Sequence, residues 1–387
     1  MELIELQRHI RRLAMIDENA SPVISSYFNL ERGLAAARQV FDERVRMIRK
    51  TMSGSRWQDF NEACSRIDHF IKTELLPESK GVAVFARGGD DPFFLALQFR
   101  VPLPNQTGAD TTPNIFPLVE LKDTYHRYVV LISTTESARI IEVSLGEITE
   151  EVWRERPELR RRVGREWSRE HYRNHRRNRT EQFIREKIEL LEKLMLAGGH
   201  THLILAGNPR LTARVKKELP KHLADKLVDT VVASGSDKIS DVVAATLNSF
   251  IEQEELESQA IAEQLRQEVC TGGLAVIGTS DTLEALQRAQ VDVLVMLRDY
   301  APATGWKCPA CGAVGFAPRR FNDCSECGAS EIHPLEIREE MTRLAEKCGC
   351  QVEIVNHSEA MVEFGGVGAL LRFLAPEQYY QRQAAAA

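Results

Sequence analysis

Two Cys-x-x-Cys pairs near the end of the chain constrain its fold more than any other feature. The pairs, "CPAC" at 308–311 and "CSEC" at 324–327, are separated by twelve residues. Each pair can turn two thiolates toward one point, and two such turns supply the tetrahedral sulfur shell that zinc prefers. Gly312 and Gly328 follow the pairs directly and suit the tight turns involved. The predicted zinc ligands are Cys308, Cys311, Cys324 and Cys327.

A closed shell of four thiolates has no open position for water, so this zinc is expected to be structural and not catalytic. A pair of redox-active cysteines is the competing interpretation, and two pairs at this spacing argue against it. The remaining cysteines show no ligand spacing, and we interpret them as ordinary thiols. They are Cys64, Cys270, Cys348 and Cys350.

Composition indicates a globular protein of a reducing compartment. Of the 387 residues, 43% are hydrophobic and 27% are charged, as in ordinary folded proteins. The opening "MELIELQRHIRRLAMIDENA" mixes charged and apolar residues and does not read as a secretory signal, and the chain contains no long apolar run. A cytoplasmic location is therefore expected, where cysteines stay reduced.

The order of periodic segments predicts the fold class α/β (α+β), multidomain, with three mixed α/β domains. An N-terminal domain is expected at 1–124 and a central α/β domain at 125–268. A C-terminal α/β sandwich domain is expected at 269–387, with the four-cysteine zinc knuckle inserted as a ribbon at 306–330.

In the first section, apolar residues at helical spacing predict a helix around 3–13, and 34–76 is also helical in pattern. Strands are expected at 21–30 and, as a pair, within 80–99. The segment 101–117 holds four prolines and no periodicity, so it is predicted to be a loop.

In the central section, Thr180 is the predicted N-cap of a long helix that ends at Gly198, with Ile184, Ile188, Leu191 and Met195 as its apolar stripe. Asn208 and Pro209 are predicted to start another helix. Further elements are expected as strands at 127–134, 138–145 and 202–207 and as a helix at 241–269. In the last section the pattern predicts strands around 273–278, at 291–297, 351–355 and 369–373, and helices at 280–290 and 335–347.

An arginine-rich segment stands out against a chain whose net charge is -6. Between Arg154 and Arg179 there are eleven arginines and only four glutamates. Arginine presents a planar fork to phosphate oxygens, and aromatic rings can stack on bases, so the segment predicts contact with nucleic acid. The predicted RNA-binding residues are Arg165, Trp167, Ser168, Arg169, His171, Tyr172, Arg173, Asn174, His175, Arg176, Arg177 and Arg179.

Two other interpretations of this segment are weaker. A solvated helix face would alternate the sign of its charges, and no acid follows Glu170 within the segment. His171 and His175 have the spacing of a metal pair on a helix, but the sequence offers no third ligand beside them. No catalytic constellation is evident, and the glycines of "FGGVGALLRF" lack the Lys-Ser/Thr of a phosphate loop.

The last section resembles a known family. The segments "TGGLAVIGTSDTLEALQRAQVDVLVMLRD" (271–299) and "IVNHSEAMVEFGGVGALLRF" (354–373), with the two cysteine pairs between them, resemble the C-terminal domain of archaeal and eukaryotic class I release factors and of Pelota. "SPVISSYFNL" (21–30) is similar to the opening of their bacterial relatives. The three-section layout extends the resemblance over nearly the whole chain.

The resemblance implies a factor that enters the ribosomal A site and contacts ribosomal RNA there. It implies that the central domain reaches the peptidyl transferase centre and that the C-terminal domain docks a translational GTPase, with elongation factor Tu as the expected partner. Release factors carry Gly-Gly-Gln before the long central helix, whereas this sequence is expected to have an arginine-rich loop there, with only Gly164. The Asn-Ile-Lys-Ser motif of stop-codon readers is also absent.

The leading hypothesis is a ribosome-hibernation factor, without enzymatic activity, that occupies the ribosome as a monomer and needs no membrane. The first alternative is a rescue or release factor that hydrolyses peptidyl-tRNA with an unconventional tip, for which Ser168, His171 and His175 are the candidate water-positioning groups. The second alternative is an RNA-binding regulator that does not act on the ribosome.

Overall fold

The computed structural model describes residues 2–18, 21–155, 169–234, 237–316, 323–324 and 326–374; for residues 150, 154–155 and 169–179 it describes the backbone. Internal contacts divide the chain into two compact units. The central unit comprises Tyr125–Gln253 with Met1–Leu3, and the terminal unit comprises Ile4–Thr124 and Glu254–Ala387. The expected mixed α/β multidomain fold is confirmed, while the division into three domains at 124 and 268 stays a prediction.

Up to residue 124 the elements are α1 (Leu3–Ala14), β1 (Val23–Asn29), α2 (Leu34–Arg49), α3 (Gly54–Thr73), β2 (Gly81–Arg87), β3 (Phe93–Phe99), β4 (Gln106–Asp110) and α4 (Phe116–Thr124). The following elements are β5 (Tyr128–Ser133), β6 (Ser137–Ser144), β7 (Glu147–Glu155), α5 (Arg169–Gly198), β8 (His202–Gly207), α6 (Pro209–Glu218), α7 (Lys221–Ala224), β9 (Leu227–Val232) and α8 (Ile239–Cys270). The last elements are β10 (Ala275–Ile277), α9 (Thr279–Gln287), β11 (Val291–Leu297), β12 (Gly305–Lys307), β13 (Val314–Gly315), β14 (His333–Leu335), α10 (Ile337–Cys348), β15 (Gln351–Val355), α11 (Glu359–Glu363) and β16 (Val367–Leu371).

The first part of the terminal unit is an antiparallel sheet in the order β3-β2-β1-β4, covered on one face by α2 and α3. Phe28 of β1, Phe41 of α2 and Phe60 of α3 are buried in this core. The expectation that 101–117 is a loop is wrong, because β4 lies inside it and pairs with β1. The segment "QTGAD" has no alternating apolar pattern; it joins the sheet through backbone hydrogen bonds that sequence periodicity does not reveal.

The central unit is a five-stranded sheet in the order β7-β6-β5-β8-β9, with β5, β8 and β9 parallel. Alternate residues of β5 face opposite layers: Leu131 packs with α5 and α6, whereas Val130 packs with the first half of α8. Phe250 of α8 stacks on Tyr128, with ring centroids 4.6 Å apart. The sequence missed β7, because its acidic residues hide the apolar pattern of a strand.

The long helix α5 buries the apolar stripe that was predicted for it. Ile184, Ile188, Leu191 and Met195 all lie in the core of the central unit. Its predicted start is wrong, however, because the helix begins at Arg169 and not after Thr180. Among the described helices, α5 and α8 included, none is both long and apolar enough to cross a membrane.

The second part of the terminal unit is a sheet in the order β10-β16-β11-β15, in which β11 and β15 are parallel and the other pairs are antiparallel. The second half of α8 packs on this sheet through Ala262 and Leu265. A three-stranded sheet in the order β13-β12-β14 carries the cysteine pairs.

Helix α4 joins the two parts of the terminal unit by contacts with α10 and β15. The Arg338 guanidinium of α10 lies 4.3 Å from the centre of the Phe116 ring. The buried Asp123 carboxylate accepts the backbone N–H of Ile354 in β15 at 2.8 Å. These contacts tie the residues before the central unit to those after it.

Asn114, just before α4, extends this connection to the first sheet. Its backbone carbonyl accepts the Tyr27 hydroxyl at 2.6 Å, and its backbone N–H donates to Ser25 Oγ at 2.9 Å. Its side-chain amide donates to the Glu339 carboxylate of α10. One buried asparagine thus bridges β1 and α10, and replacing its side chain leaves the Glu339 carboxylate and the Phe116 N–H without this partner.

Glu339 gives this connection a pH dependence. Burial, with smaller effects of Asp110 and Glu336, raises the pKa of Glu339 to about 7. When folding raises the pKa of a carboxyl, the folded state loses stability as the pH rises from the pKa of the unfolded state to that of the folded state. The loss of stability remains at higher pH.

We therefore predict that Glu339→Gln stabilises the terminal unit at pH 8 by about 2 to 3 kcal/mol and by far less at pH 5. Urea unfolding at both pH values measures the difference, and Glu31→Gln at an exposed position is the control. An equal effect of Glu339→Gln at the two pH values would contradict the assignment.

Candidate metal centre and nucleic-acid interface

The two cysteine pairs form matching turns. In the first, the Cys308 N–H donates to the Ala313 carbonyl at 2.8 Å, and the Gly312 N–H donates to the Cys308 carbonyl at 2.9 Å. In the second, the Cys324 N–H donates to the Ala329 carbonyl at 2.7 Å, and the Gly328 N–H donates to the Cys324 carbonyl at 3.0 Å. Gly312 and Gly328 have φ angles of 74° and 73°, a conformation that glycine adopts without strain.

These turns bring the four sulfur atoms together within 4.8 Å of one another. The Sγ atoms of Cys308 and Cys327 are 3.6 Å apart, as are those of Cys311 and Cys324. Zinc bonded to four sulfurs at about 2.3 Å holds them about 3.8 Å apart in a tetrahedron. The four cysteines therefore fit a zinc ion, and zinc binding itself remains a prediction.

Hydrogen bonds shift the pKa values of thiols within the cluster in opposite directions. Backbone N–H groups of Cys327 and Glu326 lower the pKa of Cys324 to about 6, which favours its thiolate. The Ala313 N–H acts in the same direction on Cys311, but hydrogen bonds with neighbouring cysteines outweigh it and raise the pKa of Cys311 to about 12. Four thiolates this close repel one another, and a divalent cation offsets that repulsion.

In the described part of the module around the cysteines, few apolar side chains are buried. Its buried residues are Trp306, Cys308 and Cys324, with Ala313, Ala329 and Ile332 packed against them. A core of this size is too small to stabilise a fold, so a metal would replace it as the organising contact. Lys307 pairs with Glu18, which ties the module to the first part of the terminal unit.

The predicted RNA-binding residues are placed only in part. Arg165, Trp167 and Ser168 lie outside the described residues. The nine from Arg169 to Arg179 belong to the first turns of α5, and their side chains lie outside the described part of the structure. The expected arginine-rich loop is thus wrong from Arg169 onward, where the backbone is helical. Arginine favours helices and the segment 169–197 contains no glycine or proline, but apolar periodicity begins only near Phe183 and concealed the helix start.

Sequence analysis overlooked a second group of cations in the central unit. Arg210 and Arg214 of α6 are exposed and line a cleft that Thr180 of α5 also lines. The Asn208 side chain caps α6 by accepting the Arg210 N–H at 3.0 Å, and Pro209 occupies its first turn. The four basic residues in "NPRLTARVKK" (208–217) are the feature of the sequence that could have indicated this group.

Comparison with known proteins finds similarity to release factors. Residues 113–250 match the model of bacterial archaeo-eukaryotic release factor family 10. Peptide chain release factor subunit 1 of Pyrococcus abyssi is 24% identical over 96% of this chain and 98% of its own length. The same factor of Thermoplasma acidophilum is 30% identical over 118 residues, 27% of each chain.

Solved structures align over most of the chain at low similarity. The archaeal termination factor aRF1 is 18% identical, with a TM-score of 0.27, over 96% of this chain and 99% of its own. Archaeoglobus fulgidus Pelota is 12% identical, with a TM-score of 0.38, over 97% and 93%. Residues 113–250 are thus similar to a bacterial release factor family, and nearly the whole chain is similar in sequence to an archaeal release factor.

Substituting a ligand tests the metal centre. We predict that the purified protein contains about one zinc per chain and that Cys308→Ser lowers this to near zero, because three thiolates hold zinc far more weakly than four. Elemental analysis of protein prepared without chelators measures the zinc, and Cys270→Ser, at an exposed cysteine outside the cluster, is the control. Unchanged zinc in Cys308→Ser would refute the ligand assignment.

Proposed function

We propose that this protein is a translation factor that binds the ribosomal A site and silences or protects idle ribosomes without hydrolysing peptidyl-tRNA. The similarity of residues 113–250 to bacterial release factor family 10, and of most of the chain to archaeal peptide chain release factor subunit 1, supports the ribosome as target. The observation that carries the proposal is the arginine-rich start of α5, which stands where release factors have Gly-Gly-Gln. Among family members without that tip, the chain resembles the bacterial hibernation factor Balon.

The helix gives the arginines a regular spacing. Arg169, Arg173 and Arg177 recur every four residues, so an α-helix brings these positions to one face. Like charges at this spacing destabilise an isolated helix by about 0.2 to 0.5 kcal/mol per pair. A polyanion such as RNA offsets that repulsion, which explains a sequence that would otherwise weaken its own helix.

The position of the segment on α5 suits contact with a large partner. The apolar residues from Phe183 to Met195 pack the helix onto the central sheet. The residues from Arg169 to Arg179 precede that packed part and add about 16 Å of helix at 1.5 Å per residue. A rigid extension of this length can carry arginines into a narrow RNA-lined channel such as the peptidyl transferase centre.

The absence of Gly-Gly-Gln argues against peptide release. Positioning water for hydrolysis needs a side chain held at a defined distance from the ester, on backbone that fits closely around it. A helix of arginine, asparagine and histidine supplies phosphate ligands and offers no flexible glycine pair. The remaining parts of the proposal are a structural zinc in the C-terminal section, elongation factor Tu as its GTPase partner, and a cytoplasmic location.

Charge reversal tests the RNA anchor. We predict that the triple variant Arg173→Glu, Arg176→Glu, Arg177→Glu binds vacant ribosomes at least about tenfold more weakly. The slope of log affinity against log salt concentration should fall in magnitude by about 2, because fewer phosphate contacts release fewer counterions. Co-sedimentation across a salt series measures both quantities.

The matched control for that variant reverses three exposed arginines of α1, Arg8, Arg11 and Arg12, which changes the net charge equally. The control is expected to bind nearly as well as the unaltered protein. An unchanged salt slope in the α5 variant would contradict the anchor role.

Peptide release distinguishes the proposal from the enzyme alternative. Ribosomes that hold labelled peptidyl-tRNA are expected to keep the label when the protein is added, at the rate seen with buffer alone. Release that is lost in Ser168→Ala, His171→Ala or His175→Ala would instead identify a hydrolase with an unconventional tip.

A further inference from the structure

The central unit contains a cleft of about 660 Å³ at one edge of its sheet. Ser133 ends β5, Asn208 follows β8 directly and Val232 ends β9, and all three line the cleft. These strands are parallel, so the cleft lies at their carboxyl ends, the edge where open α/β sheets hold their ligands.

The chemistry of the cleft suits an anion with several oxygens. The exposed guanidinium groups of Arg210 and Arg214 stand on its α6 side, four residues apart on one helix face. Thr134 and Thr180 also line the cleft, although the Thr134 hydroxyl is hydrogen-bonded to Ser137 within the turn after β5. Guanidinium forks with nearby hydroxyls are the usual partners of phosphate oxygens.

A buried lysine adds positive charge next to the cleft. Lys187 of α5 is 2% exposed, and its ammonium donates to Ser133 Oγ at 2.9 Å and to the Thr134 carbonyl at 2.7 Å. Its Nζ also lies 4.2 Å from the centre of the Phe183 ring. The lysine therefore fixes the end of β5 where it lines the cleft and raises the local potential.

The acids near the cleft are engaged in contacts of their own. Asp237 accepts the backbone N–H of Ser234 at 2.6 Å, which closes the turn after β9. Glu181 lies 3.8 Å from Arg214, and both side chains are more than a third exposed. A loose exposed pair of this kind contributes little, so Arg214 can exchange Glu181 for a phosphate.

The cleft adjoins the arginine-rich part of α5. Thr180, which lines it, follows directly on Arg179 in the same helix. Helix α6 adds Lys216 and Lys217 to its two arginines against one acid, Glu218. Helix α6 thus places basic residues close to the end of the arginine-rich segment, within a chain whose net charge is negative.

We infer that this cleft is a second binding site for the sugar–phosphate backbone of RNA, in which Arg210 and Arg214 hold one or two phosphates while the start of α5 contacts neighbouring RNA. The inference rests on the proposed function, because the RNA is ribosomal. It adds a site outside the segment that replaces Gly-Gly-Gln. Two anchors on one rigid unit fix orientation as well as affinity.

The double variant Arg210→Gln, Arg214→Gln tests the cleft, because it removes both charges and keeps side chains that can form hydrogen bonds. Full-length protein is titrated onto purified vacant ribosomes between about 50 and 200 mM salt. The expected result is a loss of affinity of about tenfold at the lowest salt concentration. The slope of log affinity against log salt concentration is expected to fall in magnitude by about 1 to 2.

The matched control is Lys193→Gln with Lys221→Gln, two exposed lysines of the same unit that do not line the cleft. It is expected to keep both the affinity and the slope, and thermal unfolding by circular dichroism checks that both variants fold. Equal behaviour of the two double variants, with binding by the unaltered protein intact, would overturn the cleft site and leave the proposed function standing. Failure of the unaltered protein to bind ribosomes would remove the proposed function, and the cleft site with it.

Discussion

The contact of α4 with α10 and β15 is the interaction on which the rest of the structure depends. The central unit occupies residues 125–253, so the residues before it and after it are far apart in the sequence. They come together only when the chain folds. The Asp123 carboxylate on the Ile354 N–H, and Asn114 between Tyr27 and Glu339, make that junction specific because buried polar groups tolerate few other partners. The raised pKa of Glu339 shows that the junction contains a carboxyl whose ionised form is unfavourable there. The same junction keeps the first sheet and the cysteine module within one compact unit.

Elements with a clear apolar period could be predicted from the sequence, and elements built by other means could not. The α5 stripe from Ile184 to Met195 and the Asn208 cap of α6 are as predicted. Strand β4 was missed because backbone pairing with β1 defines it, and β7 because acids interrupt its apolar pattern. The four cysteines were predicted to converge, since Cys-x-x-Cys spacing specifies a local turn, whereas the cleft at Arg210 needs three strand ends to meet in space.

The start of α5 links the fold to the proposed function. A release factor needs a mobile tip that positions water, and glycines provide that freedom. Here the backbone is helical from Arg169, so the positions of the arginines recur at fixed spacing along α5. We propose that the helical arginines and the basic cleft bind RNA and perform no chemistry. This is the behaviour expected of a factor that occupies a ribosomal site and holds it closed.

Competition with transfer RNA tests this account most directly. Purified protein is sedimented with vacant ribosomes and with ribosomes whose A site already holds transfer RNA, at one salt concentration and over a range of protein concentrations. The account predicts saturable binding of about one protein per vacant ribosome and loss of that binding when the A site is filled. Binding that is indifferent to the transfer RNA would contradict an A-site occupant and would favour an RNA-binding protein that acts elsewhere.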